Sequence, residues 1–360
     1  MIIERDMLVK EEVKRNQQIN FLKISAILLI IIHHTQYLFG GSIVDVKFVT
    51  DIINSMGNIG VTLFFIMSGY GIYKYIDNHQ DQKYIDFIKG RFKKIAKPYY
   101  FCLIVSLVAM GSAFFLQKQY IFDLVTHFTF THNLFVSTHG SINGCLWTMG
   151  TIVQFYLIVP FLYKLIKKNP TAILVLSIVI SLLIRFVIYK IIYAKQLDGA
   201  YYFVYGRQLI TAIESFVIGM FISLKEKDIN IKYVLNLLLI ILTLGLVYGV
   251  SYYSNNYSNQ SHMIAFTLYY TVSSIILGLF VMFFSKGKIT NLKLFKRYAD
   301  LHKHEYNIYL WHFLIIANML NTGFITAIRS YSNTLCAFAL LMVAVLFGAY
   351  INVCTNSTKK

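Results

Sequence analysis

Two consecutive histidines, His33 and His34, stand in an otherwise apolar run, INFLKISAILLIIIHHT, with Asn20 and Lys23 at its other end. A neutral imidazole can take a proton from a hydroxyl, so a histidine held away from water is a candidate general base. The spacing separates the two. At about 100° per residue, Lys23 and His34 end up about 20° apart around the helix and roughly 16 Å apart along it. Asn20 lies about 40° from His34 on the same stripe, whereas His33 falls about 80° from Lys23. His34 is therefore the histidine of a polar stripe aimed at a bundle interior, with Lys23 and Asn20 placed to orient or polarise neighbours. The plainer alternative is that Lys23 reaches to the interface and both histidines only hydrogen-bond between helices.

Other polar groups in apolar surroundings follow. Ser68 sits among Gly57, Gly60, Gly69 and Gly71 in a segment whose small residues also suit close helix packing. Arg91, Lys93, Lys94 and Lys97, with Tyr100 behind them, form a dense cationic stretch before an apolar run. Such a stretch anchors a helix at a basic interface; alternatively it clamps phosphate oxygens, which suit guanidinium groups. Trp147, Gln154 and Tyr156 mark a third segment, and Tyr309 and His312 lie in EYNIYLWHF. Arg207 and Glu214 are seven residues apart, which places them on one helix face as an ion pair or, less simply, as a catalytic acid and its partner.

The elements that must carry these groups are membrane helices. The chain has 360 residues, 57% hydrophobic and only 14% charged. Its mean hydropathy is +0.60. Long apolar runs such as 24–32, 172–184 and 235–250 recur. A helix crosses a hydrocarbon core with about 20 apolar residues, and helices satisfy their own backbone polar groups in lipid. The expected class is all-α, a polytopic bundle of about ten spans near 20–39, 52–73, 98–116, 147–163, 170–189, 205–224, 233–253, 263–285, 304–322 and 333–354. Residues 1–19 and 355–360 are the expected cytoplasmic tails, and 20–354 one transmembrane domain.

Charge orients the bundle. Of 33 Lys and Arg residues, 26 fall in the segments on the N-terminal side and 5 in the opposite loops, with Arg185 and Arg207 inside spans. That asymmetry places both termini in the cytoplasm of a cell membrane. The net charge of +17 thus reflects topology, with anionic lipids rather than nucleic acid as its partner. Lys-, Ile-, Asn- and Tyr-rich usage suggests a bacterial source. The four cysteines, Cys102, Cys145, Cys336 and Cys354, lack metal-ligand spacing and read as small buried hydrophobes. No metal site is expected. The first apolar segment reads as a retained helix. The basic loop near 74–97 and the outer loop near 117–146 are the longest expected extramembrane stretches.

In order along the chain, these segments resemble the acyltransferase 3 family of multispanning membrane acyltransferases. That family typically carries an Arg, ten residues and a His in its first helix, matched here by Lys23 and His34, with Asn20 where many members have Asp. Its GV-x-LFF-x-x-SG segment is similar to Gly60, Val61, Leu63, Phe64, Phe65, Ser68 and Gly69. Its basic R-x-x-[RK]-x-x-P-x-Y run resembles Arg91, Lys94, Pro98 and Tyr100, one residue longer here. Further matches are Leu146, Trp147, Gln154, Phe155, Tyr156 and Pro160; Arg207, Glu214, Phe216 and Gly219; and Ile308 to Phe313. Many members have Glu just before QFY, where this chain has Ile152 and Val153; Glu214 is the expected substitute.

The resemblance implies transfer of an acyl group, usually acetyl, from cytoplasmic acetyl-CoA (acyl-CoA) to a hydroxyl of a cell-surface polysaccharide or a lipid-linked glycan. It implies His34 as base with Lys23, Asn20 and Glu214 beside it. Arg91, Lys94, Lys93 and Tyr100 would hold the donor, and His33, Ser68, Trp147, Gln154, Tyr156, Arg207, Tyr309 and His312 the substrates. No permanently bound cofactor is expected. Two alternatives remain open: a transporter or flippase of a lipid-linked sugar, and transfer of a larger acyl group such as succinyl. The acceptor and the oligomeric state are not specified by the sequence.

Overall fold

A computed structural model describes residues 2–41, 43–44, 46–225, 242, 245, 259–284, 293–320 and 322–357. Among these residues all regular structure is helical. The helices are α1 (Ile2–Leu38), α2 (Lys47–Asp77), α3 (Tyr84–Met110), α4 (Ser112–Phe115), α5 (Tyr120–Phe128), α6 (Trp147–Lys168), α7 (Pro170–Ala194), α8 (Gly199–Tyr205) and α9 (Leu209–Lys225). After the undescribed stretch come α10 (Asn259–Phe284), α11 (Lys293–Asp300), α12 (Glu305–Leu320), α13 (Gly323–Tyr331) and α14 (Asn333–Ser357). Short 3-10 turns cover His132–Leu134 and Leu301–His304.

On length and apolar composition five helical segments among the described residues can cross a membrane: Gln17–Leu38, Lys47–Asp77, Trp147–Lys168, Pro170–Ala194 and Asn333–Thr355. The pair α8 and α9, bent by 43°, makes a sixth. These five or six stand where the sequence predicts ten. The reasons differ by helix. The span expected at 233–253 lies outside the described residues, apart from 242 and 245. Helix α3 has the length but keeps Lys93, Lys94 and Lys97 within it. In α10 the apolar stretch is limited to Thr267–Met282, and α12 has 16 residues.

Boundaries shift for physical reasons too. Helix α1 is continuous from Ile2, so most of the expected tail at 1–19 is helical ahead of the first apolar span, which begins at Gln17. Pro170 opens α7, where its fixed φ and missing N–H cost nothing. Pro98, expected to open a span, instead lies inside α3, and Pro160 lies inside α6. Each leaves the carbonyl four residues earlier, of Lys94 and of Tyr156, without its helical N–H. Cys102, Cys145 and Cys336 are buried as expected, whereas Cys354 is exposed.

The bundle is held most closely along α2. A Cβ on Gly69 would overlap the Phe216 carbonyl of α9, and one on Gly219 would overlap the Ile66 carbonyl of α2. The two backbones therefore touch, which only hydrogen side chains allow. Phe216 fills the adjoining core by stacking on Phe65 (4.6 Å) and Phe155 (3.8 Å).

The expected outer loop at 117–146 is a packed element. From the far end of α3 the chain returns, and Phe130 packs on Phe92 and Tyr99 of that same helix at 5.7 and 4.3 Å. The Tyr99 and Tyr100 hydroxyls donate to the carbonyls of His127 and Phe128. Phe130 turns the chain with φ 58°, a left-handed conformation costly for a side chain with a Cβ, and its burial holds it there. Asn133 then forms a reciprocal amide pair with Gln154, whose Nε2 donates to Asn133 Oδ1 at 2.9 Å. Asn133 Nδ2 also donates to Thr151 Oγ1, and Gln208 Nε2 donates to the Asn133 carbonyl at 2.5 Å.

At the basic end the 3-10 turn Leu301–His304 ties α12 to α14. Asn307 Nδ2 donates to Asn352 Oδ1, and Asn352 Nδ2 donates to His304 Nδ1. Partial burial, with the charges of Lys303 and His302 adding to it, keeps the His304 imidazole below its ordinary range and so free to accept.

Candidate active site

A cavity of about 340 Å³ opens among α1, α2, α3, α6 and α12. Lys23, Ser68, Arg91, Lys94, Tyr156 and Tyr309, all singled out from sequence, share its wall with Glu305 and Tyr306. Its volume sits at the low end of small-ligand pockets, about 300–1,000 Å³. Three cations and one carboxylate make the lining electropositive. Lys23 Nζ lies 3.9 Å from Glu305 Oε1, and both side chains remain about one quarter exposed. Arg91 lies flat on Tyr75, 3.6 Å from the ring centroid. Its Nη2 is buried without a hydrogen-bond partner, a donor still owed an acceptor.

Tyr309 closes one wall and is chemically committed. Its hydroxyl donates to the Cys145 carbonyl at 2.7 Å and accepts from Thr148 Oγ1 at 2.8 Å, while its ring stacks on Phe64 at 5.8 Å. One turn further along α12 stands His312, fully buried. Its Nδ1 lies 2.5 Å from the Tyr309 carbonyl and its Nε2 lies 2.8 Å from His34 Nδ1. The two imidazoles are nearly parallel, 6° apart, and Phe313 meets His34 edge-on.

His33 turns away from His312 toward α2, its ring centroid 5.5 Å from that of His34. Its ring lies where a Cβ on Gly57 would stand, so Gly57 makes room for it against α2, and its Nδ1 is buried without a partner. Asn20 is partly exposed and does not line the cavity. Lys93 lines a neighbouring cleft of about 570 Å³ with Gly90, Lys97 and Asn352; Lys94 and Tyr306 belong to both walls. Tyr100 holds the folded-back segment instead. Gln154 does the same through Asn133.

Trp147 and Arg207 belong to a second cluster, near the bend between α8 and α9. Arg207 Nη2 donates to Asn58 Oδ1 at 2.7 Å and Nε to the Tyr270 hydroxyl at 3.3 Å. Its guanidinium lies 3.6 Å from the Phe203 ring centroid and 5.5 Å from that of Trp147, which stacks on His139.

Glu214 does not pair with Arg207. Arg185 of α7 reaches it, with Nη2 2.7 Å from Oε1, the two side chains 2% and 0% exposed. Arg185 also donates to Thr271 Oγ1 and to the Thr211 carbonyl, and Ser274 Oγ donates to Glu214. Glu214 is absent from the cavity wall, where Ile152 and Glu305 both stand. Glu305 was missed because an acid opening a helix reads as an interfacial group; its place in EYNIYLWHF was the available signal. Among the described residues no group of three His, Cys, Asp or Glu side chains could hold a metal ion.

The arrangement offers an anion-attracting chamber and, a helical turn beyond Tyr309 and outside the chamber's lining, a fully buried His312 paired with a half-buried His34, which suits proton removal from a hydroxyl near an anionic donor. No curated protein and no solved structure matches the chain. The family model described as an acyltransferase domain matches residues 16–353, nearly all of the chain, and the protein belongs to the acyltransferase 3 family, as a membrane acyltransferase.

Proposed function

We propose that the protein moves an acetyl group from acetyl-CoA to a hydroxyl of a cell-surface polysaccharide or its lipid-linked precursor, with His34 as general base. The observation that carries this is Tyr309, which lines the cationic cavity and whose carbonyl lies 2.5 Å from His312 Nδ1, so that the His34–His312 pair stands just behind that wall. The basic end is taken as the cytoplasmic face of the plasma membrane. Donor phosphates meet Arg91 and Lys94, with Lys93 and Lys97 in the adjoining cleft, and guanidinium and ammonium groups suit them. A cavity of about 340 Å³ suits the thioester arm rather than the nucleotide.

The acceptor hydroxyl attacks the thioester carbonyl while His34 takes its proton. The carbon–sulfur bond breaks, and the coenzyme leaves as a thiol after the proton returns to its sulfur. Lys23, 3.9 Å from Glu305, keeps positive charge at the cavity wall, where it favours the anionic donor. The Arg207–Trp147 cluster, with an aromatic face beside hydrogen-bonding groups, suits a sugar acceptor.

The test compares surface polysaccharide, by mass spectrometry, from a deletion strain complemented with wild type or with His34→Ala. Acetyl-sized mass on the glycan with wild type only supports the reading. Unchanged mass with altered glycan export would favour a transporter, and a larger increment would name a larger acyl group.

A further inference from the structure

The hydrogen bonds around His312 determine more than position. A carbonyl oxygen only accepts, so the 2.5 Å contact between His312 Nδ1 and the Tyr309 carbonyl requires the hydrogen on His312 Nδ1. In a neutral ring the lone pair is then on Nε2. That nitrogen lies 2.8 Å from His34 Nδ1, so it accepts, and the hydrogen of His34 sits on Nδ1. One lone pair is left over, on His34 Nε2.

We infer that His312 is a positioning residue that fixes the tautomer of His34, so that His34 Nε2 is the nitrogen that receives the acceptor's proton. The inference rests on the reading of His34 as base. Its logic is that of a carboxylate holding a catalytic histidine, with a carbonyl-anchored imidazole in place of the carboxylate. Three further features favour it. His312 is fully buried, so water does not compete for its Nε2. Phe313 edges against the His34 ring and limits its rotation. The adjacent His33 makes no hydrogen bond to either ring; its Nδ1 is unpartnered, so it offers His34 no competing tautomer.

The proton balance is closed. As the acceptor oxygen bonds to the thioester carbon, its proton goes to His34 Nε2, and the imidazolium keeps its Nδ1 hydrogen directed at His312 Nε2. The same Nε2 proton then passes to the departing sulfur, which restores the starting tautomer. His312 gains no proton over the cycle.

Two measurements test this on the full-length protein in lipid nanodiscs. The first labels histidine with nitrogen-15 and assigns the rings by comparison with His34→Gln and His312→Gln. Hydrogen on Nδ1 of both rings is expected; hydrogen on Nε2 of His34 with a bare Nδ1 would overturn the inference whatever the activity. The second follows acetyl-CoA consumption as release of the coenzyme thiol, with water as acceptor. His312→Leu removes the acceptor for His34 Nδ1 and should lower kcat about 10- to 100-fold, with KM for acetyl-CoA changed less than about twofold. His312→Gln returns a carbonyl oxygen near the Nε2 position and should recover most of kcat. Equal loss in both variants, with folding intact, would reduce His312 to packing and overturn the proposal. An active His34→Ala would instead overturn the function on which it rests.

Discussion

His34 and His312 are 278 residues apart in the chain, and their ring nitrogens are 2.8 Å apart in the fold. The contact exists because α1 and α12 pack side by side, with Phe313 seated on the His34 ring. Any change that slides α12 along α1 by one residue, about 1.5 Å, would break it. Activity should therefore respond to α12 as sharply as to α1.

The two neighbouring histidines should separate in a turnover assay. His34→Ala removes the base, a loss of about 10²–10⁴-fold in thiol release from acetyl-CoA. His33→Ala vacates the space beside Gly57, about 100° around α1 from His34, and should stay within about tenfold of wild type. Equal losses would mean that His33 shares the chemistry.

Donor binding should depend on Arg91. Its unpartnered Nη2 in the cavity wall has no protein acceptor to satisfy it, so Arg91→Gln should weaken acetyl-CoA about tenfold, or about 1.4 kcal/mol, by titration calorimetry. Affinity of wild type and variant alike should fall as salt rises, because exposed Lys93 and Lys97 contribute through a screened field. Unchanged affinity would return the α3 cations to an anchoring role.

Arg185 and Glu214 should behave as a structural unit. Removing one partner leaves a buried, uncompensated charge, so Arg185→Met alone should lower stability by about 3–5 kcal/mol. The double variant Arg185→Met, Glu214→Leu should recover most of it, read by thermal unfolding in detergent. If Glu214 is a catalytic acid instead, the double variant will be stable and inactive.

The seat of the folded-back segment is tight at Gly150. A Cβ there would come within 2.5 Å of Asn133 Oδ1 and 2.9 Å of the Phe130 carbonyl. Gly150→Ala should cost about 1–3 kcal/mol as overpacking, and limited proteolysis should newly cleave between Tyr120 and Leu146. Protection equal to wild type would show that the segment is held elsewhere.

Much of the site was legible where the argument was local. Helical periodicity alone separated His34 from His33, and the structure directs the two to different neighbours. Arg91, Lys94, Ser68, Tyr156 and Tyr309 were visible as polar groups in or beside apolar runs, and they share one cavity. What stayed hidden depends on partners far along the chain. Arg207 and Glu214 share a face only on a straight helix, and the chain bends by 43° between α8 and α9, so Arg207 leaves that register. Glu214 then pairs with an arginine 29 residues earlier. The stretch from His127 to Asn143 reads as a solvated loop because of its His and Asn residues. Their burial is set by donors and rings on α3, on α6 and at Gln208, just before α9, that no local pattern reveals.

The Arg185–Glu214 pair also constrains how the protein is made. A lone charge at the centre of a membrane helix costs about 2.5–3.5 kcal/mol on insertion scales. Helix α7 leaves the ribosome with its guanidinium uncompensated, and its carboxylate follows 29 residues later. At about 5–20 residues per second that interval is on the order of a few seconds. During it the unpaired guanidinium opposes the strongly apolar character of α7, and that opposition ends when α9 brings Glu214 alongside.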